Sequence, residues 1–381
     1  MQSHKNWIAT CALPLLLTAS SLAGTAPSPE ALTLIDELGL TAAPTPMSEH
    51  SGWRPRRVVV RVIPAMKTSS FNYKEQLQNA AGGVELVFLE PGGTKLSEEL
   101  LATIDGIIGI CTPALLKQAG PGLHWIHNYT VGMDYCKGFS ENQLKNIVFT
   151  NNKRLSGPAI AEHTIAMLLA LTHNLPAYQK AQSETKFRRK PSNAIVFGEL
   201  KGKTLLVVGL GGIGTEIAWR AHGLGMRVIA TRRSSHEGPD FVEYVGLPDE
   251  LHTLAKKADV VANALPLTPE TTGLFDKSFF DAIKPGAIFL SVGRGKSTVT
   301  ADLIAALESG KLSGAGLDVT DPEPLPKSSP LWLLPNVIIT PHVSATGANS
   351  IHRSMVIAAE NLRRYVAGEP LLNVVDMVRG Y

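Results

Sequence analysis

The sequence predicts an α/β protein made of two successive series of strands and helices. Three observations carry this expectation: short apolar runs of strand length, helical patterns between them, and a glycine-rich turn joining a strand to a helix. The chain has 381 residues, 44% hydrophobic and 18% charged, enough for about two domains with cores of their own. A net charge of +3 is too small to argue for nucleic acid or a membrane surface as partner.

The first 26 residues differ in kind. "MQSHKNW" carries a lysine and a histidine, "IATCALPLLLTASSLA" is apolar, and "AGTAPSP" supplies small residues. This is the layout of a secretory signal peptide, with cleavage expected near Ala23 or Ala26. The apolar run of about 16 residues is short for a bilayer span, which needs roughly 20. A membrane anchor or a mis-set start codon are the competing readings. Residues 27–57, with Pro44, Pro46 and Pro55, read as a linker. Cysteines at 11, 111 and 136 show no metal-ligand spacing, and no metal site is expected. Cys111 and Cys136 are read as buried thiols rather than a bridge.

From Val58 the first series runs through "VVVRVI", "VELVFLE", "DGIIGIC", "LHWIHNYTVG" and "NIVFTNN". "GPAIAEHTIAMLLALTHNL", Gly157 to Leu175, predicts a long helix with Pro158 in its first turn, ending before Pro176. The basic stretch "QKAQSETKFRRKPSN" then reads as a solvated connector. A second series opens at Lys203 with "TLLVVGL", "RVIATRR", "DVVANALPL", "AIFLSVG", "GAGLDV" and "NVIITPH". One more helix, "GANSIHRSMVIAAENLRRYVAGE", closes the chain.

The glycine turn reads Gly209-Leu-Gly211-Gly212-Ile213-Gly214. In a dinucleotide cradle the first glycine permits the tight turn and the second lets backbone approach a pyrophosphate. The third packs helix on strand, and the helix N-terminus faces the phosphates. The end of the next strand selects the dinucleotide. NAD calls for an acid there, on the ribose 2′-hydroxyl. This chain offers Thr231, Arg232, Arg233 and Ser234, with no carboxylate before Glu237. Paired guanidiniums suit a 2′-phosphate, so NADP is preferred and NAD is the alternative.

Three further motifs lie at strand ends. "GRG" places Arg294 between glycines, "GLDVTDPEPLP" supplies Asp318 and Glu323, and "TPH" ends on His342. With "GLGGIG" and "NALPLTPETTGLF", which contains Leu265 and Pro266, this set resembles the D-2-hydroxyacid dehydrogenase family. Its members include glyoxylate/hydroxypyruvate reductases, D-lactate dehydrogenases and phosphoglycerate dehydrogenases. The resemblance runs from about Val58 to the C-terminus. It implies two Rossmann-like domains: a flavodoxin-like substrate domain over 58–155, completed by 343–381, and an inserted NAD(P)-binding Rossmann domain over 156–342. It also implies an active site between them and a homodimer built through the "GPAIAEHTIAMLLAL" region.

Reducing a 2-oxoacid needs a cation for its carboxylate, a proton for the developing alkoxide and a hydride. Arg294 suits the first as a planar fork, and His342 the second, because imidazole titrates near neutrality. Glu323 would orient His342. By resemblance, Val131 and Gly132 of "NYTVGMD" offer peptide N–H groups as a second grip on the substrate, and Asp318 lies near the nicotinamide, with a turn cap as its structural alternative. The glutamate at 323 separates this chain from formate dehydrogenases, which carry glutamine there. "SSFNYKEQ", with Phe71 and Tyr73, is the expected part of the pocket wall. His124, His127, His163 and His173 read as structural or exposed. The leading expectation is an NAD(P)-dependent 2-oxoacid reductase taking a small acid, with no stable membrane insertion after cleavage of the leader. The alternative is a dinucleotide-sensing or partner-binding protein on the same fold. A genuine leader places the protein outside the cytoplasm, otherwise it is cytoplasmic. Export raises the question of how the cofactor is supplied.

Overall fold

A computed structural model describes residues 26–68, 71–90, 97–109, 111, 120–136, 138–187 and 198–377. The expected signal segment up to residue 25 lies outside the described residues. Two parallel sheets organise the rest. The first contains β1 (Arg57–Arg61), β2 (Glu85–Leu89), β3 (Gly106–Gly109), β4 (Trp125–Asn128) and β5 (Val148–Asn151), in the order β2-β1-β3-β4-β5. The second contains β6 (Thr204–Val208), β7 (Arg227–Thr231), β8 (Tyr244–Gly246), β9 (Val260–Asn263), β10 (Ala287–Ser291), β11 (Leu312–Leu317) and β12 (Val337–Ile339). Its order is β12-β11-β10-β9-β6-β7-β8. These are the flavodoxin-like and Rossmann arrangements, and both place ligands beyond the carboxyl ends of the strands.

The sequence forms these sheets because its strands are apolar on both faces. Val58, Val59 and Val60 are all fully buried, as are Leu205, Leu206 and Val207. Such runs suit parallel strands covered by helices on each side. The main covering helices are α1 (Pro29–Glu37), α2 (Tyr73–Ala81), α3 (Gly157–Thr172), α4 (Leu175–Ser183), α5 (Gly212–Gly223) and α6 (Ala348–Ala367). Helix α3 packs on α5 and the second sheet. Helix α6 returns to the first sheet, where Met355, Ala358, Leu362 and Tyr365 join Val58, Val60 and Trp125 in one core. The last helix is therefore part of the first sheet's core. Tyr365 stacks on Trp125 with ring centroids 4.9 Å apart, and its hydroxyl donates to the Asp105 carbonyl at 3.0 Å.

Several expectations need correction. Residues 27–57 are not a linker. Ser28 caps α1 by accepting from the Ala31 N–H, and Ala31, Leu40 and Met47 are buried. Ala42 bridges Leu372, so this segment seals one side of the first unit against the C-terminal strand-like stretch. The prolines signalled irregular backbone correctly, but apolar side chains between them decide burial. Helix α3 ends at Thr172, before Pro176, but Pro176 then opens a further helix. It sits in the first turn of α4, where its missing N–H costs nothing, so the proposed connector begins as helix through Ser183. Residues 188–197 of that stretch lie outside the described residues. Strand β8 was not foreseen, being only three residues long at the sheet edge. Tyr73 is buried in the core rather than lining a pocket, whereas Phe71 meets the His352 ring edge-on at 4.0 Å.

Cys111 and Cys136 are buried as expected, yet they are joined in a disulfide with Cα atoms 5.3 Å apart. A separation of 25 residues carries no signal in the sequence. Parallel pairing of β3 with β4 brings the end of one beside the loop leaving the other. Cα atoms at that spacing fall in the range that a disulfide spans.

The folded N-terminal segment has a measurable consequence. Met47, 1% exposed and packed among Val58, Val60 and Leu371, should cost about 2–5 kcal/mol when truncated to alanine. Denaturant unfolding of Met47→Ala measures this, and a cost near zero would restore the linker reading.

Candidate active site

The turn after β6 has the shape that a dinucleotide requires. Gly209 adopts φ +96°, in the region that favours glycine, and a Cβ there would press on Ala264. A Cβ on Gly214 would collide with the Gly209 carbonyl and come within 2.9 Å of Val207, so only glycine lets α5 lie this close to β6. A Cβ on Gly211 would meet nothing within 4 Å, which leaves open space above the N-terminus of α5. Ile213 packs against the core, and Leu265 lies opposite the turn, its Cδ2 3.0 Å from where a Gly209 Cβ would stand; the Pro266 carbonyl accepts from the Thr271 hydroxyl. The residues therefore fit a pyrophosphate at this helix end.

At the end of β7, Thr231 is buried, and its carbonyl accepts from the N–H groups of Gly209 and Leu210. Arg232 donates to the backbone carbonyl of Glu237 at 3.2 Å, while Arg233 and Ser234 are exposed. A further pair of cations reaches this region from the other sheet. The Arg154 side chain lies against Gly212, its Cγ 2.8 Å from where a Cβ would stand, and its guanidinium donates to the Leu38 carbonyl. Burial, then the neighbouring Arg154 and Arg232, hold the Lys153 ammonium below its ordinary range. The cleft is thus positive where phosphates would lie.

Arg294 emerges from β10 between two glycines that packing requires. A Cβ on Gly293 would stand 2.6 Å from the Leu265 carbonyl, and one on Gly295 would overlap the Thr320 carbonyl. The guanidinium crosses to the first unit and lies directly over Gly132, occupying the space a Cβ would fill. Its Nε donates to Asp134 at 3.0 Å and its Nη1 to the Gly293 carbonyl at 2.8 Å. Arginine has five N–H donors, so the remaining ones are left for a ligand. The carbonyls of Val131 and Gly132 accept from Asn151 and Asn128. Their N–H groups donate to nothing among the described residues. A guanidinium thus lies against Gly132, and the Val131 and Gly132 N–H groups beside it are without a partner among the described residues, donors of the kind that a carboxylate takes.

His342 follows β12, and its Nδ1 lies 2.8 Å from Glu323 Oε1. That contact leaves Nε2 as the nitrogen available to a ligand. The backbone of His342 is strained, with φ +54° in a non-glycine residue. Asp318 holds it there. Fully buried, it accepts from the Thr340 hydroxyl at 2.7 Å and from the N–H groups of Val343 and Ser344 at 3.0 and 3.1 Å. His163, on α3, donates to Thr340 in turn at 2.9 Å, since that hydroxyl's proton is committed to Asp318. Burial alone would raise the Asp318 carboxyl. The hydrogen bonds from Ser344, Thr340 and the Val343 amide outweigh it and hold the group below the ordinary aspartate range. The observed contacts of Asp318 are those of a turn organiser.

Of the residues singled out in the sequence, the structure brings Arg294 against Gly132 and Glu323 against His342. Sequence reasoning missed Asp134, Lys153 and Arg154. Asp134 stood in the quoted "VGMD" stretch, but its partner is 160 residues away. Among the described residues no group of three His, Cys, Asp or Glu side chains could hold a metal, and no helix is long and apolar enough to cross a membrane.

A glycine turn shaped for a dinucleotide, a guanidinium set over Gly132 and a carboxylate-paired imidazole are the parts that a nicotinamide-dependent oxidoreductase of organic acids requires. Comparison with known proteins agrees. The sequence model for the NAD-binding domain of D-isomer-specific 2-hydroxyacid dehydrogenases matches residues 165–344. Glyoxylate reductase of Korarchaeum cryptofilum is 30% identical over 330 residues, covering 85% of this chain and 96% of that protein. Human glyoxylate reductase/hydroxypyruvate reductase is 34% identical over 68% of this chain and 78% of its own length. The structure of an NADPH-dependent glyoxylate/hydroxypyruvate reductase from Sinorhizobium meliloti, in complex with NADP and sulfate, aligns with TM-score 0.71 and 26% identity. It covers 86% of this chain and all of that one. The chain belongs to the D-isomer-specific 2-hydroxyacid dehydrogenase family. It is an NAD(P)-dependent enzyme that interconverts 2-oxoacids and D-2-hydroxyacids by hydride transfer.

The Asp318 network yields a pH dependence. The folded protein holds this carboxylate ionised more strongly than the unfolded chain does, so the unfolded chain takes up the proton first. Its stabilising contribution is complete above the ordinary aspartate pKa of about 3.9 and drains as pH falls through the lower folded value. Asp318→Asn should lower stability by about 3 kcal/mol at neutral pH, because amide hydrogens would face backbone N–H donors. It should also flatten the loss of stability below about pH 4, as read by denaturant unfolding from pH 6 to 3.

Proposed function

We propose that this enzyme reduces small 2-oxoacids of the glyoxylate and hydroxypyruvate type, with NADPH as preferred donor and NADH as second choice. The observation that carries the reading is Arg294, set over Gly132, where the N–H groups of Val131 and Gly132 have no partner among the described residues. Arg294 and the two peptide groups hold the substrate carboxylate, and Arg294 also polarises the keto oxygen. When bound, the nicotinamide supplies the hydride. His342 gives the proton from Nε2 to the forming alkoxide and keeps its Nδ1–H on Glu323 throughout. Glu323 thereby fixes the ring's orientation. The preference for NADPH is supported by Arg232, Arg233 and Lys153 near the adenosine end, where an acid selective for NAD is absent from the sequence between Thr231 and Glu237.

Oxidation of NADPH and of NADH with glyoxylate, hydroxypyruvate, pyruvate and phenylpyruvate tests this directly. Arg294→Ala and His342→Ala should each lower kcat/KM by about 10²- to 10⁴-fold. Replacing both Arg232 and Arg233 with alanine should weaken NADPH by about tenfold or more and spare NADH. Turnover with NADH alone overturns the cofactor preference, and no turnover across the panel overturns the substrate class.

Export through the N-terminal leader belongs to the same proposal. The Cys111–Cys136 disulfide supports it, since such bonds persist in oxidising compartments. An alkaline phosphatase fused to residues 1–40 should be active, and an inactive fusion sinks the reading. Pairing of two copies through the α3 region is also proposed. Exposed apolar side chains on adjoining helices, Leu175, Tyr178 and Trp219, support it.

A further inference from the structure

The disulfide lies next to the residues assigned to the substrate. Cys136 follows Asp134 by two positions, and the turn from Tyr129 to Cys136 carries Gly132 and Asp134, which meet Arg294, and the two peptides assigned to the substrate carboxylate. Both halves of this turn are tied to Asn128, whose Nδ2 also donates to the Tyr135 hydroxyl at 3.2 Å, and the second half carries a covalent anchor besides. The first half is fixed by amides from the sheet. Asn128 Nδ2 donates to the carbonyls of Thr130 and Gly132 at 3.2 and 3.4 Å, and Asn151 Nδ2 donates to the Val131 carbonyl at 2.6 Å.

The second half, Met133 to Cys136, has an internal bond from the Cys136 N–H to the Met133 carbonyl at 2.9 Å. Its covalent anchor is Cys111, at the end of β3. Cys111 is itself tied to the first half, because its N–H donates to Asn128 Oδ1 at 3.2 Å. Met133 and both cysteines are 3% exposed or less, packed with Ile107, Ile126 and Phe149. Asp134 thus projects toward Arg294 from a segment closed at one end by Asn128 and at the other by sulfur.

We propose that the Cys111–Cys136 disulfide positions the substrate grip: it holds Asp134 and the Val131–Gly132 peptides against Arg294, and the open form binds 2-oxoacids more weakly while its cofactor cradle is unchanged. The proposal rests on the substrate reading above. The cradle residues, Gly209 to Ser234, belong to the other sheet, which the bond does not touch. Opening it takes two electrons and two protons from a dithiol, which becomes a disulfide as Cys111 and Cys136 become thiols. Misplacing a binding group by about 1 Å costs up to about 100-fold in rate, which sets the scale of the effect.

The test compares the oxidised protein, the protein reduced with a dithiol and counted by thiol alkylation, and a Cys111→Ala/Cys136→Ala double variant. Each is checked for fold by circular dichroism. The readouts are KM and kcat for glyoxylate, NADPH affinity by fluorescence, and oxalate affinity of the NADP-loaded protein by calorimetry. The expected result is a rise of about tenfold or more in KM and in the oxalate dissociation constant on opening the bond. NADPH affinity should be unchanged, and reoxidation of the reduced protein should restore the original values. Should the double variant not fold, the oxidised and reduced wild-type protein decide the matter. Equal oxalate affinity in the two states, no oxalate binding in either, or full affinity in a protein whose cysteines are all alkylatable as purified, overturns the proposal. Oxalate binding without turnover of any oxoacid counts against the substrate reading instead, and the oxidised-to-reduced ratio for oxalate still decides the role of the bond.

Discussion

The contact on which the cleft depends is the Arg294 guanidinium lying over Gly132. It joins two sheets that otherwise have separate cores, and it can do so only because three glycines clear its way. Gly293 and Gly295 let its backbone thread between the carbonyls of Leu265 and Thr320, and Gly132 leaves room for the guanidinium itself. A half-buried cation needs a partner, and Asp134 supplies one at 3.0 Å. An ion pair this exposed adds little to stability, so its importance is geometric. It sets the guanidinium, with donors to spare, against Gly132.

A second constraint acts on the proton donor. His342 stands in a left-handed conformation that costs about 1 kcal/mol or more for a residue with a side chain. The surrounding chain overcomes this with a buried carboxylate. Asp318 takes the amides of Val343 and Ser344 and the hydroxyl of Thr340, and its own carbonyl accepts the His342 N–H at 2.8 Å. Strain at the histidine and ionisation at the aspartate are therefore parts of one arrangement. His163 extends it to α3, the helix that also supports the dinucleotide turn through α5.

The cofactor side works through backbone geometry and field. Glycines bring α5 against β6, and the cations gather around its N-terminus. Two of them, Lys153 and Arg154, come from the end of β5 in the first unit, so that unit contributes charge to the cradle as well as the substrate turn. Arg154 is steadied by the Leu38 carbonyl just beyond α1, which links the N-terminal segment to the cleft.

Local pattern was enough for the strands, the glycine turn, the GRG loop and the pairing of Glu323 with His342. Each of these is written in residue types whose conformational or chemical preference shows within a few positions. The alternation of strand and helix signals also pointed to parallel, covered sheets, and the family resemblance implied that the C-terminal helix returns to the first unit. Tertiary structure alone decided the rest. Whether 27–57 packs depended on a surface formed by residues more than 300 positions later, around Leu371 and Leu372. The disulfide depended on which strands lie side by side, and Asp134 acquired its role only when β10 delivered Arg294 to it. Sequence specifies what a residue can do, but charge pairing, burial and covalent bridging are set by distances in space, and parallel topology brings together residues that the chain keeps far apart.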